Sequence, residues 1–186
     1  MNTIEQNTNP IYIDAIVCHL KASSGIENEA IRFQMINDLE TYLETFPSDR
    51  KVMLAGDFNM YTSSEDGFVE LRDPTNNIVF TDPADRVGSW HNNINYIDVM
   101  TQSTPTQSGL GGATGGFDDR FDFIMTSQNL ITDADLKYVP NSYKVFGNNG
   151  EFGCFNREIN STNCAGSYYS YAIRDALYNF SDHLPV

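Results

Sequence analysis

The chain has 186 residues, of which 40% are hydrophobic, and this is enough for one substantial core in one domain. Asp and Glu total 25 against 11 Lys and Arg, which gives a formal charge of -14. This balance argues against a protein that binds nucleic acid through a basic surface, because neutralising phosphates requires Lys and Arg. It does not exclude a nuclease whose active-site metal ion supplies the positive charge locally. No apolar run of about 18 residues is present, so no transmembrane segment is predicted.

The first part of the chain combines a polar tail with a strand and a helix. Residues 1–10 lack the apolar stretch of a signal peptide and are predicted to form a disordered or irregular tail. Residues 11–18 predict a strand that ends at His19. Between 27 and 46, apolar residues recur every three to four positions, which predicts an amphipathic helix ended by Pro47. Its predicted apolar stripe is Ile31, Met35, Leu39, Tyr42, Leu43 and Phe46.

The second strand leads directly into two polar side chains. Residues 52–55 are a continuous apolar run, typical of a strand buried on both faces, and with the preceding strand and helix they predict a βαβ unit with a parallel pair. The run stops at Gly56, and Asp57 and Asn59 follow. Open α/β sheets bind ligands at the carboxyl ends of strands, so both residues are site candidates. An Asx turn closing an ordinary connection is the alternative interpretation.

The middle of the chain carries few periodic apolar residues. Residues 73–95 are predicted to be irregular surface that includes His91, which is expected to be exposed and is given no role. Residues 96–101 predict a short strand. Five glycines between positions 109 and 116 predict a turn-rich segment. This segment does not match a phosphate-binding loop, because no Lys-Ser or Lys-Thr follows it.

The last part of the chain contains a strand, a helix and a polar pair. Residues 118–127 predict a strand in which Asp122 faces away from its aromatic neighbours. A carboxylate in a strand is costly to bury unless it is paired, so Asp122 predicts a partner, and a histidine would serve. Residues 168–178 predict a helix. Asp182 and His183 then place a hard oxygen ligand beside a group that exchanges protons near neutral pH.

The chain has three cysteines. Cys18 lies in a strand-like run and is predicted to be an inert buried thiol. Cys154 and Cys164 flank a polar loop and can form a disulfide if the protein meets an oxidising compartment. A metal site is the alternative, although no histidine or further cysteine lies nearby in sequence. A disulfide favours a secreted or cell-surface location, and the compartment is otherwise open.

The candidate site residues share a position at the ends of predicted strands or just before an apolar run. They are His19, Asp57, Asn59, Asp122, Asp182 and His183. Histidines with several carboxylates, and no Gly-Xaa-Ser-Xaa-Gly elbow, suit attack by water rather than by a side-chain nucleophile. Carboxylate oxygens favour a hard cation such as Mg²⁺, with Mn²⁺ or Ca²⁺ as alternatives.

Three motifs occur in a fixed order: Gly-Asp-Phe-Asn at 56–59, Arg-Phe-Asp-Phe-Ile at 120–124 and Ser-Asp-His-Leu-Pro-Val at 181–186. Together with the strand ending in His19-Leu20-Lys21, they resemble the endonuclease/exonuclease/phosphatase superfamily, the DNase I-like group. The resemblance covers 11–186. It implies an α/β fold, namely a four-layer α/β sandwich of two mixed β-sheets flanked by helices, and metal-dependent hydrolysis of a phosphoester.

The resemblance also implies a role for each matching residue. Asp57 would orient or deprotonate the attacking water, and Asn59 would hold this water or a phosphate oxygen. His183 would stabilise the phosphorane-like transition state or relay a proton, with Asp122 accepting a hydrogen bond from its ring. His19 would clamp the phosphate or act as general acid. Asp182 would be a metal ligand.

The chain departs from the family pattern on its amino-terminal side. Family members carry an Asn-bearing strand and a metal-binding Glu before the His strand, whereas only ten residues precede Ile11, and Glu5 lies in the polar tail. Residues 11–186 are therefore expected to be the carboxyl-terminal part of one domain. The expected consequences are weak metal binding, little activity of this chain alone, and exposed sheet edges or apolar surface that favour self-association.

Three functional hypotheses remain. The first is a nuclease-like phosphodiesterase, and the second is a hydrolase of a phospholipid or small phosphodiester, which the acidic charge favours. The third is a non-catalytic module that keeps only the scaffold. Hydrolysis of plasmid DNA versus a chromogenic diester, with and without Mg²⁺, separates the first two.

Overall fold

The computed structural model describes residues 10–110 and 112–186, which form a mixed α/β fold around one four-stranded sheet. The strands are β1 (Ile13–His19), β2 (Lys51–Asp57), β3 (Phe80–Thr81) and β4 (Asp122–Ser127). The helices are α1 (Ile26–Leu43), α2 (Asp66–Glu70), α3 (Asn129–Thr132) and α4 (Tyr171–Phe180), with 3₁₀ helices at Ile94–Val99 and Phe152–Cys154. Within the described ranges, no helix has the length and apolar character needed to cross a membrane.

The sheet has the order β1-β2-β4-β3, with β1 parallel to β2 and antiparallel pairing elsewhere. Helix α1 connects the parallel pair, so the predicted βαβ unit is confirmed. The parallel pairing brings the carboxyl ends of β1 and β2 to one edge of the sheet, and the antiparallel β4 begins there. The register therefore aligns His19, Asp57 and Asp122 in one row across the sheet, which we call the strand-end row.

Helix α1 packs on the sheet through a face that overlaps the predicted stripe only in part, since Leu39, Leu43 and Phe46 contact the core as predicted. Its buried residues are Arg32, Ile36, Glu40 and Leu43. Ile31, Met35 and Tyr42 belong to the predicted stripe but are exposed. The prediction assumed that only apolar side chains face the core. Arg32 violates this assumption because a buried partner, Glu65, neutralises its charge.

One face of the sheet is covered by α1, α2 and the loops between β2 and β4. This first core consists of Leu20, Ile36, Leu43, Val52, Leu54, Phe58, Met60, Phe68, Leu71, Ile78, Phe80, Trp90, Phe123 and Met125. The Trp90 indole N–H donates to the Met60 carbonyl at 2.7 Å, so its one polar atom is paired. This core fixes the loops that leave the strand-end row.

The other face of the sheet, which we call the open face, is exposed along β1 and is bordered near β2 and β4 by residues between 130 and 144. Val52 and Leu54 are buried, but the side chains between and after them are only half-buried, so the prediction that 52–55 is buried on both faces is wrong. Val17 on β1 is 79% exposed. The described residues contain one sheet rather than the two of the expected four-layer sandwich, and β1 has a strand partner on one side only. Self-association through this surface stays a prediction.

A disulfide anchors a second core. Cys154 and Cys164 are bonded, which confirms the predicted pairing, and both are fully buried. The other buried residues of this core are Ile97, Met100, Phe117, Val145, Ile159 and Leu184. Cys18 is a free thiol and only half-buried, and burial together with the Asp57 charge raises its pKa to about 12, which keeps it protonated.

Two local elements near the second core test the sequence patterns. The segment predicted as a strand at 96–101 is instead the 3₁₀ helix Ile94–Val99, which begins where the Asn93 side chain accepts a hydrogen bond from the Asn95 amide. The polar cap competes with the strand that alternating apolar residues suggested. Helix α4 is confirmed, and it starts at Tyr171 because the Ser170 hydroxyl caps it.

A buried carboxyl on α1 makes stability depend on pH. Glu40 is 7% exposed, and burial, with Glu70 and Glu44 nearby, raises its pKa from 4.5 to about 8. Between these values the folded chain binds more protons than the unfolded chain, so the free energy of unfolding falls as pH rises and the loss is complete above about pH 8. We expect Glu40→Gln to flatten this dependence and to stabilise the protein at pH 8 by ~2 kcal/mol or more.

Urea unfolding of this variant at pH 5, 6.5 and 8 measures the effect. The exposed Glu27→Gln on the same helix is the control and should leave the slope with pH nearly unchanged. An equal slope in the wild type and in Glu40→Gln would contradict the assignment.

Candidate functional site

The strand-end row depends on a close approach between β1 and β2. Gly56 pairs with Cys18 and has φ +135, and a Cβ at this position would lie 1.9 Å from the Cys18 carbonyl oxygen. Only glycine fits here. The next residue, Asp57, therefore lies directly beside His19, and its carboxylate oxygen Oδ2 is 3.4 Å from Nε2 of His19.

The loop after β2 forms the Asx turn that is the alternative interpretation of Asp57 and Asn59. The Asn59 amide donates to Oδ1 of Asp57 at 2.9 Å, and Asn59 has φ +51. Its side-chain amide donates to the Leu20 carbonyl at 3.3 Å, which links this turn to the loop after β1. The Asx turn does not exclude a functional role, since it leaves Oδ2 of Asp57 directed to His19.

The predicted partner of Asp122 is His183. Oδ2 of Asp122 lies 2.7 Å from Nδ1 of His183, and both side chains are about one-fifth to one-quarter exposed. Backbone hydrogen bonds hold the terminal segment in place: Leu184 donates to Thr101, and Ser103 donates to Asp182. The hydrogen bond to Asp122 raises the pKa of His183, although burial opposes this effect.

Asp57, Asp122 and His183 form a three-residue cluster in which one ligand atom from each lies within 4.8 Å of the others. All three are half-buried. Burial and the neighbouring Asp122 carboxylate raise the pKa of Asp57, so two acidic groups meet here at an electrostatic cost. A divalent cation would relieve this repulsion, and carboxylate oxygens are the donors that Mg²⁺ and Mn²⁺ prefer. The donor set therefore fits a hard cation.

Three predicted site residues lie outside this cluster. His19 is adjacent to Asp57 but its side chain is 75% exposed. Asn59 is buried at the turn. Asp182 is exposed, and its carboxylate is not among the clustered ligand atoms, so its assignment as a metal ligand stays a prediction.

A buried ion pair supports the site from the side of α1. Nε of Arg32 lies 2.8 Å from Oε2 of Glu65, and both side chains are almost fully buried. Arg32 also donates to the Lys21 and Ser23 carbonyls, which lie just after β1. The second Glu65 oxygen accepts from the Tyr61 amide, just after Asn59. One ion pair thus ties α1 to both loops of the site.

His91, to which the sequence assigns no role, has a carboxylate partner in the structure. Nδ1 of His91 lies 2.7 Å from Oδ1 of Asp119, which is nearly buried, while the His91 side chain is 49% exposed. The sequence carried no indication of this contact, because the two residues are 28 positions apart and neither lies in a regular element. Asp119 lies three positions before the β4 residue Asp122.

A cavity of about 460 Å³ lies away from these groups. It is lined mainly by the segments around Asp98, Tyr143 and Asn148 and contains no residue of the candidate site. The three-residue cluster instead lies at the carboxyl end of β2, where Asp57 pairs with Asp122.

Comparisons with known proteins give little similarity. No protein-family model matches the chain, and no curated protein matches it. Among solved structures, the chain is similar to the one described as "Crystal Structure of SmcL", with a TM-score of 0.37 and 16% sequence identity. The similar region covers 60% of this chain and 38% of that chain. A likeness at this level carries no argument about fold or function.

Proposed function

We propose that this chain is part of a metal-dependent phosphodiesterase of the endonuclease/exonuclease/phosphatase superfamily. The observation that carries the proposal is the three-residue cluster of Asp57, Asp122 and His183, in which Asp122 orients the imidazole. The cluster lies where the three ordered sequence motifs converge. The free thiol next to the row, Cys18, packs against the first core and is kept protonated by a pKa raised to about 12, which favours attack by water over attack by this thiol.

In the proposed reaction the oxygen of a water molecule attacks phosphorus and the bond from phosphorus to the leaving oxygen breaks. Asp57 orients this water and accepts its proton, and a raised pKa makes its carboxylate a better base. His19 is exposed beside Asp57 and returns a proton to the leaving oxygen. One proton is taken from the water and one is given to the leaving oxygen, so the number of protons on the enzyme is unchanged.

His183 contributes through the ring nitrogen opposite Asp122. Because Nδ1 is held by Asp122, Nε2 is directed to the substrate side, where a protonated ring donates to a non-bridging phosphoryl oxygen in the transition state. Asn59 donates its amide to water or phosphate if it releases the Leu20 carbonyl. A divalent cation held by Asp57, with Asp182 as a further ligand, would supply positive charge to the phosphoryl oxygens.

The four-layer sandwich belongs to the same proposal. The open face is the surface on which a second sheet would pack, and β1 offers a free edge for further strands. The site lies at the end of this face, so added strands would border it and could supply a further metal ligand.

Hydrolysis of a chromogenic diester, plasmid DNA and phospholipid vesicles, each with Mg²⁺ and with EDTA, tests the proposal and separates a nuclease from a lipid or small-diester hydrolase. Asp57→Asn should abolish any Mg²⁺-dependent turnover, whereas Asp49→Asn, an exposed control beyond α1, should retain it. Calorimetric titration of Mg²⁺ or Mn²⁺ should show binding that Asp57→Asn weakens. If the chain shows neither hydrolysis nor cation binding, the proposal is contradicted and the non-catalytic module is the remaining hypothesis.

A further inference from the structure

Each of the three histidines of the chain lies beside an aspartate. Two of them belong to the site described above. The third, His91, is held by Asp119 with the same Nδ1-to-carboxylate geometry as His183 with Asp122, at 2.7 Å in both pairs. A half-exposed imidazole braced by a buried carboxylate is an arrangement that orients the opposite nitrogen, Nε2, for contact with a ligand.

Backbone pairing relates His91 to the three-residue cluster. Gln102 forms antiparallel bridges with both Asp119 and His183, so it lies between them. Residues directly opposite each other in such pairs share one side, and neighbouring strands are about 4.8 Å apart. Asp119 and His183 are therefore on the same side of this segment, roughly 10 Å apart. His91 therefore lies beside the site, one bridge away from His183.

Aromatic packing and a loop contact fix the His91 ring. The Tyr61 ring packs edge-on against it at 4.9 Å between centroids, and the His91 amide donates to the Tyr61 carbonyl. Tyr61 comes two positions after Asn59, so the same loop carries a site residue and a support for His91. The ring is thus held on both sides, by Asp119 and by Tyr61.

We propose that His91, oriented by Asp119, is a substrate-binding group that contacts a second phosphate next to the one being hydrolysed. This inference rests on the proposed phosphodiesterase function and gives it a substrate class, a chain of successive phosphodiesters such as a short polynucleotide. Nε2 of the protonated ring donates to a non-bridging oxygen of the neighbouring phosphate. The half-exposed ring can make this contact without rearrangement of its supports.

The acidic surroundings of His91 are compatible with a bound anion. The Asp119 carboxylate is nearly buried and lies against Nδ1 of His91, so its charge faces the ring rather than solvent. Asp118 is the neighbouring half-buried carboxyl, and burial together with Asp119 raises its pKa to about 6, which lowers the opposing negative charge near that pH. The remaining net charge of the chain acts at longer range and is screened by salt over about 8–10 Å.

Steady-state kinetics on a thymidine tetranucleotide and a thymidine dinucleotide test the inference, because the dinucleotide has a single phosphate. His91→Ala should raise KM for the tetranucleotide about tenfold, the size of one lost charge-assisted hydrogen bond, with kcat unchanged. Its kinetics on the dinucleotide should equal those of the wild type. His91→Gln keeps a donor and should recover part of the loss, and Asp119→Asn should change KM in the same direction as His91→Ala.

Gln107→Ala, at an exposed polar residue with no role in the inference, is the control and should change the kinetics on neither substrate. Equal losses on both substrates would assign His91 to folding or to the chemical step and overturn the inference. Unchanged KM for the tetranucleotide would overturn it as well.

A second measurement separates this inference from the proposed function. Ring signals of His91 and His183 are followed by NMR while the tetranucleotide is added with Mg²⁺. Shifts of both rings support the inference even if no turnover is detected. A shift of His183 alone retains the proposed site and overturns the role of His91, and no shift of either ring contradicts both.

Discussion

Replacing His183 with alanine is expected to lower kcat for diester hydrolysis by ~10²–10³, the usual cost of removing one hydrogen-bond donor to the transition state. The reason is that His183 belongs to the three-residue cluster and is the imidazole whose ring Asp122 fixes. Asp122→Asn leaves the imidazole in place but removes the acceptor for its Nδ1 proton, so a smaller loss of about 10–100-fold is expected.

The two residues are expected to act as one unit. The double variant should therefore be no slower than His183→Ala alone, since Asp122 acts through the ring that is already missing. Losses that multiply in the double variant would show that Asp122 has a separate role, for example as a metal ligand.

The same pair makes a prediction that needs no turnover. The hydrogen bond from the His183 ring to Asp122 raises the pKa of His183, so Asp122→Asn should lower this pKa toward the ordinary value. NMR titration of the ring signals measures it directly. A control titration of His91 in the same variant should be unaffected, because His91 is paired with Asp119 instead.

Arg32→Met is expected to cost about 3–5 kcal/mol of stability, because it leaves the Glu65 carboxylate buried without its charge partner. It also removes the donors that hold the Lys21 and Ser23 carbonyls. The melting temperature should fall by roughly 10 °C for a domain of this size. Thermal unfolding followed by circular dichroism measures the loss.

The double variant Arg32→Met/Glu65→Leu distinguishes an unpaired charge from lost packing. Removing both charges should recover part of the stability, since no isolated carboxylate remains in the core. Arg157→Met, at an exposed arginine, is the control and should change the melting temperature little. A stability of Arg32→Met equal to that of the control would contradict the role assigned to the ion pair.

The strand and helix patterns predicted much of the scaffold correctly. The strands around 11–18, 52–55 and 118–127 and the helices α1 and α4 all form, because their apolar periodicity and end signals are local properties of the chain. The sequence also predicted that Asp122 has a partner, since a carboxylate within a strand is costly to bury without one. The pairing of Cys154 with Cys164 followed from their spacing around a polar loop.

Other features depend on contacts between distant parts of the chain. Which face of α1 is buried was decided by the Arg32–Glu65 pair, because a charge can be buried once a partner from another loop neutralises it. The 3₁₀ helix Ile94–Val99 replaced most of a predicted strand because the Asn93 side chain caps it, and extended pairing begins only at Thr101.

The sequence by itself predicted the βαβ unit, β4, α4 and the candidate residues at the strand ends, because these depend on short-range pattern and residue chemistry, and it offered the disulfide as one of two interpretations of the cysteine pair. Only the tertiary structure decided that Asp57, Asp122 and His183 meet within 4.8 Å while Asp182 stays exposed outside their group. It also decided that the His91 ring contacts the Asp119 carboxylate. The reason is that sheet register and loop packing, which no local pattern encodes, set the distances between side chains that are far apart in the chain.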